Sequence, residues 1–560
     1  MIPNKMITNI EKGGVMIKTF ISLLLILFFS NIAEGQWIKN GLVVFDTITN
    51  KTYSLPQIAG DASGTGAYIC WADIRNFPYE NIYAQRIDSS GKIYWQRNGV
   101  LLCHASGGRD WPQIISDGDG GFIAAWEDYR NPNSTDIYSQ KVDINGKLLW
   151  GDSAVGLSNK YPGLFVKIAS DGDGGAFYTW IYYGAHDYMV LAQKVNKLGK
   201  REWGDAGIIV AGPSEKVIYN HDAVISVDGN GGAVITWAES GDIYSQRFDK
   251  KGKRLWGEKG VLISTNNDKS QIFVYTIFDG INNTYVTWVN YDGILHLQKI
   301  TNEGLLLWKS DKIDSMPYTG GGGARRLISD KEGGIFLGVG RSIQHIDSSG
   351  KKLWGDHGAY YIDSTAEVTN SQMVNDGDGG VINVSQATIG YPQVVAQKID
   401  KYGKASWGKK GKPLTDNPEM HNFPQIVSDG NGGGIVTWGS KNIGFAVLAL
   451  RITNDGILTR VSEPNSNREG DLQLKNYPNP FNPETTILYT IPKKGLVEIK
   501  IYDLQGKEVI CLEKTIQEGG EHKTRWDGRT NAGAKASSGM YFYQIVFDNK
   551  VLTKKMILIH

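Results

Sequence analysis

Tryptophan returns along this chain at a near-constant interval, at Trp37, Trp95, Trp150, Trp203, Trp256, Trp308, Trp354 and Trp407, with successive members 46 to 58 residues apart. A period of this size points to a propeller or solenoid array. Each repeat is then one supersecondary unit that buries its apolar face only by stacking on its neighbours. The order of parts within a unit is constant. A short apolar run follows the Trp, as in Gly260-Val261-Leu262-Ile263. Next come Pro112-Gln113-Ile114-Ile115-Ser116, the turn Asp117-Gly118-Asp119-Gly120-Gly121, and a second run from Phe122 to Trp126. After a loop, the segment from Asp136 to Asp143 alternates apolar and polar residues, the period-2 mark of a half-buried strand. Asp-Gly and Asn-Gly pairs supply the positive φ that tight hairpin turns require.

Four short strands in each unit is the content of a propeller blade. The expected body is therefore all-β: a β-propeller of eight blades closed into a ring over residues 36–460, with no capping unit at either end of the array. Units six and seven are the weak point, because a second recurrent Trp is replaced there by Val339 and Ser385. A seven-bladed ring is the alternative if one of these units is degenerate, or if the first and last units share a blade by strand exchange.

Several recurrent side chains admit two readings. The second tryptophan set, Trp71, Trp126, Trp180, Trp237, Trp288 and Trp438, reads as packing between neighbouring sheets or as sugar-stacking platforms. The Asp-Gly-Asp-Gly-Gly turns at 117–121, 171–175 and 376–380 read as hairpin turns or as weak calcium sites, although no closing acid recurs at a constant offset. Trp71, Asp73 and Arg75 alternate along one strand, as do Trp126, Asp128 and Arg130. Alternate residues share a face, so each Asp and Arg can form a structural pair or an anion site. Cys70 stands where equivalent segments carry Ala125, Thr179 and Thr236, which suits a small buried filler better than a disulfide partner.

A net charge of +1 with no Lys/Arg block argues against nucleic-acid binding. Lys18, an apolar run from Phe20 to Phe29, and Ala33-Glu34-Gly35 have the order of a signal peptide over residues 1–35, with cleavage before Gln36 and Met16 as an alternative start. The nine His are scattered, with no His-x-x-x-His pair. The visible acids recur with the repeat and read as architectural. No catalytic residue, cofactor site or metal site is expected.

The segment from Ala84 to Trp95 resembles the tryptophan-docking repeat of the eight-bladed quinoprotein propellers, through Asp88, Gly91-Lys92 and Trp95. That resemblance implies the fold and not the quinone cofactor, since no adjacent Cys pair is present. The Ser-x-x-Asp-x-Gly turn is loosely similar to the Asp-box of sialidases. Composition changes after residue 460. A polar linker is expected over 461–472, and a small Ig-like β-sandwich over 473–560 from its alternating strands and Gly turns. Tyr477-Pro478-Asn479-Pro480-Phe481-Asn482, Trp526-Asp527-Gly528, Gly539 with Tyr541, and Lys554-Lys555 resemble the type A sorting domain of the type IX secretion system, and also the Ig-like domain of flagellar hook-capping proteins. The resemblance implies a sorting signal at those residues, the type IX machinery as partner, and export to the outer surface of a Gram-negative cell of the Bacteroidota–Chlorobi group. Release or surface attachment would follow processing. The function expected is a non-enzymatic binding or adhesion protein for an extracellular glycan or protein. The alternative is a polysaccharide hydrolase or lyase, which needs two converging carboxylates.

Overall fold

A computed structural model describes residues 37, 41–45, 55–75, 79–184, 188–214, 223–264, 271–290, 294–308, 325–362, 366–389, 391–415, 421–440, 446–458, 473–477, 479, 481–548 and 550–559. The signal-peptide and linker expectations, 1–35 and 461–472, lie outside these residues. The chain divides into two compact units, 1–459 and 460–560.

All described elements of the first unit are β-strands, and they form eight antiparallel sheets. Seven hold four strands, and the fifth holds three among the described residues. In order along the chain, sheets 1 to 7 lie within 57–101, 109–156, 164–214, 223–262, 271–301, 325–360 and 367–413, and sheet 8 combines 421–452 with Leu42–Phe45. The first strands of successive sheets adjoin, from Gln57–Gly60 against Arg109–Ser116 onward. The last of them, His421–Ser428, returns to adjoin Gln57–Gly60. The body is thus all-β and propeller-like.

Sequence repeat and sheet are out of phase by one strand. Among the described residues the short run after a Trp pairs with the preceding unit: Val100–Leu101, beyond Trp95, pairs with Asn81–Asp88. By the same rule Leu42–Phe45, beyond Trp37, pairs with Ala446–Ile452 at the far end of the body. First and last units therefore do share a sheet. Even with that sharing, eight sheets are present among the described residues.

The opening tryptophans dock on the following unit. Trp150 Nε1 donates to the Lys197 carbonyl at 3.1 Å, and Trp203 Nε1 to that of Lys250 at 3.2 Å. The glycine of each such turn is required twice over. Gly199 has φ +80°, and a Cβ there would lie 2.9 Å from the Trp150 ring. Trp407 sits equally close to Gly456, and Trp37 donates to the Ser89 carbonyl at 2.9 Å, so the contact also runs from sheet 8 to sheet 1. A glutamine clamps each Trp from within its own sheet: Gln140 Oε1 accepts the Trp150 N–H at 3.0 Å, and its Nε2 donates to the Gly151 carbonyl at 2.7 Å. Gln85, Gln193, Gln246, Gln298, Gln344 and Gln397 hold their own tryptophans in the same way. Leu450 stands at the eighth position, in the sheet whose Trp arrives from the other end of the chain.

The second tryptophans are core. All six are at most 2% exposed, which settles them as packing rather than open platforms. Trp126 packs with Leu102 of sheet 1, Trp180 with Leu157 of sheet 2, and Trp438 with Leu414 of sheet 7. Where Ser385 replaces the Trp in sheet 7, the partner position in sheet 6 is Tyr361, fully buried and facing Ser371, Asn383 and Ser385. A large residue has moved across the seam, which keeps the interior close to native packing density.

The second unit is a sandwich of two antiparallel sheets. One contains Gln473–Tyr477, Thr485–Ile491 and Gly520–Trp526; the other contains Gly495–Tyr502, Glu508–Gln517, Gly539–Phe547 and Lys550–Leu558. Residues of Thr485–Ile491 alternate strictly between buried and half-buried, and both sheets contribute to one core around Trp526.

Candidate functional site

The Asp of each turn is structural. Asp117 Oδ1 accepts the N–H groups of Asp119 and Gly121 at 2.8 and 2.7 Å, and Oδ2 lies 3.2 Å from Lys141 Nζ. Equivalent pairs recur in every sheet: Arg86–Asp61, Lys194–Asp171, Arg247–Asp228, Lys299–Asp279, His345–Asp330, Lys398–Asp376 and Arg451–Asp429. Both oxygens of Asp117 are thereby occupied by protein groups, and among the described residues no group of three or more acidic, His or Cys residues is placed to hold a metal.

Asp73 and Asp128 do pair with their alternate arginines. Asp128 accepts Arg130 Nε at 2.7 Å, Trp126 Nε1 at 3.0 Å and the fully buried Arg109 Nε at 3.0 Å. Burial alone would raise the Asp128 carboxyl, but hydrogen bonds from Arg130 and Trp126 and the charges of both arginines hold it below the usual range. Arg130 lies 3.5 Å above the Tyr138 ring, and Arg75 lies 3.7 Å above Tyr83. Cys70 and Cys103 are free and buried.

One group of acids breaks the repeat, against the expectation that all of them are architectural. Glu127 follows the second Trp of its unit, where the other units have Ala72, Ile181, Ala238, Val289 and Gly439. Asp110 stands directly across from Glu127 in the sheet, and Glu80 is brought beside it because the Arg109 N–H donates to the Glu80 carbonyl at 2.9 Å. Glu80 and Asp110 hydrogen-bond to each other, and burial together with the charge and hydrogen bond of Asp110 pushes Glu80 up to about 7. Burial likewise raises Glu127, against hydrogen bonds from the Phe165 N–H at 2.8 Å and the Tyr129 hydroxyl at 3.1 Å.

Three aromatic rings open to solvent surround these acids: Tyr79 at 53% exposure, Trp111 at 52% and Tyr129 at 41%. Tyr79 and Tyr129 flank Gly108, each within 4 Å of where its Cβ would be. Trp111 has φ +54° at a β-bulge between Asp110 and Gln113, and its N–H donates to Asp110 Oδ1 at 2.7 Å. An exposed bulky residue in the left-handed region is rare and re-aims the side chain away from the sheet. For Glu127 the readable signal was an acid where the neighbouring units carry Ala72 and Ile181.

In the second unit the candidate sorting residues divide by role. Asn479 Oδ1 accepts the Ile557 N–H at 2.9 Å, and its Nδ2 donates to the Lys555 carbonyl at 3.3 Å. Phe481 is buried at 2%, donates its N–H to the Ile557 carbonyl at 3.0 Å, and packs 5.5 Å from Trp526. Tyr541 meets Trp526 edge-on at 5.1 Å and donates its hydroxyl to the Ser537 carbonyl at 2.7 Å. Asn479 and Phe481 thus tie the start of the domain to its last strand. Tyr477 ends the first strand, Asn482 follows Phe481, and Gly539 begins Gly539–Phe547. Pro478 and Pro480 lie outside the described residues. Lys554 and Lys555 are exposed on the last strand.

Residues 475–559 match the sequence family described as a secretion system C-terminal sorting domain. No curated protein matches the chain in sequence. Similar solved structures include PorZ, an essential surface component of the type IX secretion system of Porphyromonas gingivalis, at 12% identity over 91% of this chain and 82% of that one, TM-score 0.30. Others are the plexin A4 extracellular region, at 11% identity over 92% and 62%, TM-score 0.36, and the BP39L lectin of Burkholderia pseudomallei, at 8% over 72% and 97%, TM-score 0.42. This chain thus spans less than two thirds of the plexin's length. The C-terminal unit matches a secretion-system sorting domain, which marks the chain for secretion to the cell surface.

Proposed function

We propose that the exported body is a non-enzymatic binding protein whose ligand seat is the patch formed by Tyr79, Glu80, Asp110, Trp111, Glu127 and Tyr129. The observation that carries this reading is the departure from the repeat. Where the other units that keep the second Trp continue with Ala72, Ile181, Ala238, Val289 or Gly439, this one carries Glu127, opposite Asp110 in the sheet and close in sequence to the exposed Tyr129. Residues that break a fold's own local rules mark functional sites. Large rigid aromatics beside hydrogen-bonding carboxylates also have the composition of binding hot spots.

A hydrolase is disfavoured by spacing. Carboxyl groups that flank a glycosidic bond stand at least about 5 Å apart, whereas Glu80 and Asp110 are in hydrogen-bonding contact. Lys554 and Lys555, exposed on the last strand, are sorting-signal residues accessible to the export machinery.

The test is an array of glycans and peptides probed with the mature protein and its Trp111→Ala variant, alongside a panel of hydrolase substrates. Binding lost in the variant, without turnover, supports the reading; turnover, or binding indifferent to Trp111, overturns it.

A further inference from the structure

Around the ring each turn Asp meets a cation, and Asp73 and Asp128 meet arginines. Glu80, Asp110 and Glu127 do not. Among the described residues no ion pair joins any of the three to Lys, Arg or His, although the Lys167 charge favours the Glu127 carboxylate. Two carboxyl groups hydrogen-bond to each other only by holding a proton between them, which is what like charges do when no counter-charge is supplied.

The exposed rings complete the pattern. An aromatic face attracts a cation through its quadrupole, and an adjacent carboxylate adds Coulombic attraction. The body twice shows this combination filled from within. Arg75 lies over Tyr83 with its Nε 2.9 Å from Asp73 Oδ1, and Arg130 lies over Tyr138 with its Nε 2.7 Å from Asp128 Oδ1. At Tyr79, Trp111 and Tyr129 the rings and the acids are present, and among the described residues no cation is stacked on these rings.

We infer that this patch receives the lysine or arginine side chains of an extended partner peptide. The inference rests on the binding role proposed above. Charge complementarity selects the partner: three acids without an ion-paired cation, on a protein whose net charge is only +1, call for a basic segment. The open spread of the three rings suits a chain laid across them rather than a small enclosed ion.

Hexalysine, hexaglutamate and hexaglycine serve as probes against the intact mature protein, the Glu80→Gln/Asp110→Asn double variant and Trp111→Ala. The double variant keeps shape and removes charge, so it remains informative if Trp111→Ala fails to fold. Hexalysine alone should bind, about tenfold or more weaker to either folded variant, and weaker as salt rises. Absence of hexalysine binding, or equal binding to the double variant, overturns the inference. A neutral glycan bound through Trp111 with no hexalysine binding would leave the binding role standing and remove the cationic partner. Loss of both removes the role as well.

Discussion

Two glycines with nearly the same backbone angle isolate the contribution of tryptophan docking. Gly172 has φ +76° with nothing within 4 Å of where its Cβ would be; Gly199 has φ +80° with the Trp150 ring 2.9 Å away. Alanine at either site incurs the left-handed penalty, about 1–2 kcal/mol. Only Gly199→Ala must also displace the Trp150 indole, which is 7% exposed and hydrogen-bonded to Lys197. Losing that hydrogen bond costs about 1 kcal/mol, and partial loss of a large ring's contacts adds about 1–2 kcal/mol. Gly172→Ala should therefore cost about 1–2 kcal/mol and Gly199→Ala about 3–5 kcal/mol. Urea unfolding of the secreted body, followed by tryptophan fluorescence, reads the difference as a displaced midpoint at unchanged slope. Equal midpoints for the two variants would refute docking as a stabilising contact.

Three other outcomes follow from the same structure. Tyr361→Leu and Ser385→Trp should each destabilise, by about 1–4 kcal/mol through a cavity or overpacking, while the double variant recovers at least about 1 kcal/mol in a thermal-melt cycle; additive losses would contradict the exchange across the seam. Glu80, raised to about 7 in the folded protein, binds more protons folded than unfolded between its ordinary range and that value. Its contribution to stability therefore falls as pH rises toward 7, and Glu80→Gln should melt above the parent at pH 8 and level with it at pH 4. Intact mass of the secreted product should show an N-terminus at Gln36 and loss of residues beyond about 470; retention of Met1 or Met16 would contradict export by a cleaved signal.

Much of the body was legible because its turns and its rings are periodic. Hairpin turns at Asp-Gly pairs and the period-2 run from Asp136 depend on local chemistry, and local chemistry is written in order along the chain. Sheet phase was not legible, because which neighbour receives the run after each Trp is a tertiary choice; Leu42–Phe45 reaches Ala446–Ile452 across almost the whole body. Gln140 lies within the period-2 run from Asp136 to Asp143, but its clamping role needed the backbone at Trp150 to return to it. Glu80, Asp110 and Glu127 escaped because attention to recurrence suppresses whatever fails to recur. In the sorting domain, Asn479 and Phe481 were found as motif residues, yet their work is to tie the start of the domain to its last strand, while Tyr541 packs on Trp526, and pattern alone shows neither.

Ring closure by the chain's own first strand is most directly tested by a disulfide across sheet 8. Val43 and Leu448 are paired residues on neighbouring strands, a separation within reach of a disulfide. In a Val43→Cys/Leu448→Cys variant of the secreted protein, mild oxidation should link the two positions within one chain, detected as a crosslinked peptide after proteolysis of the monomer. No link, or a link found only between two chains, would contradict a ring sealed by residues 42–45.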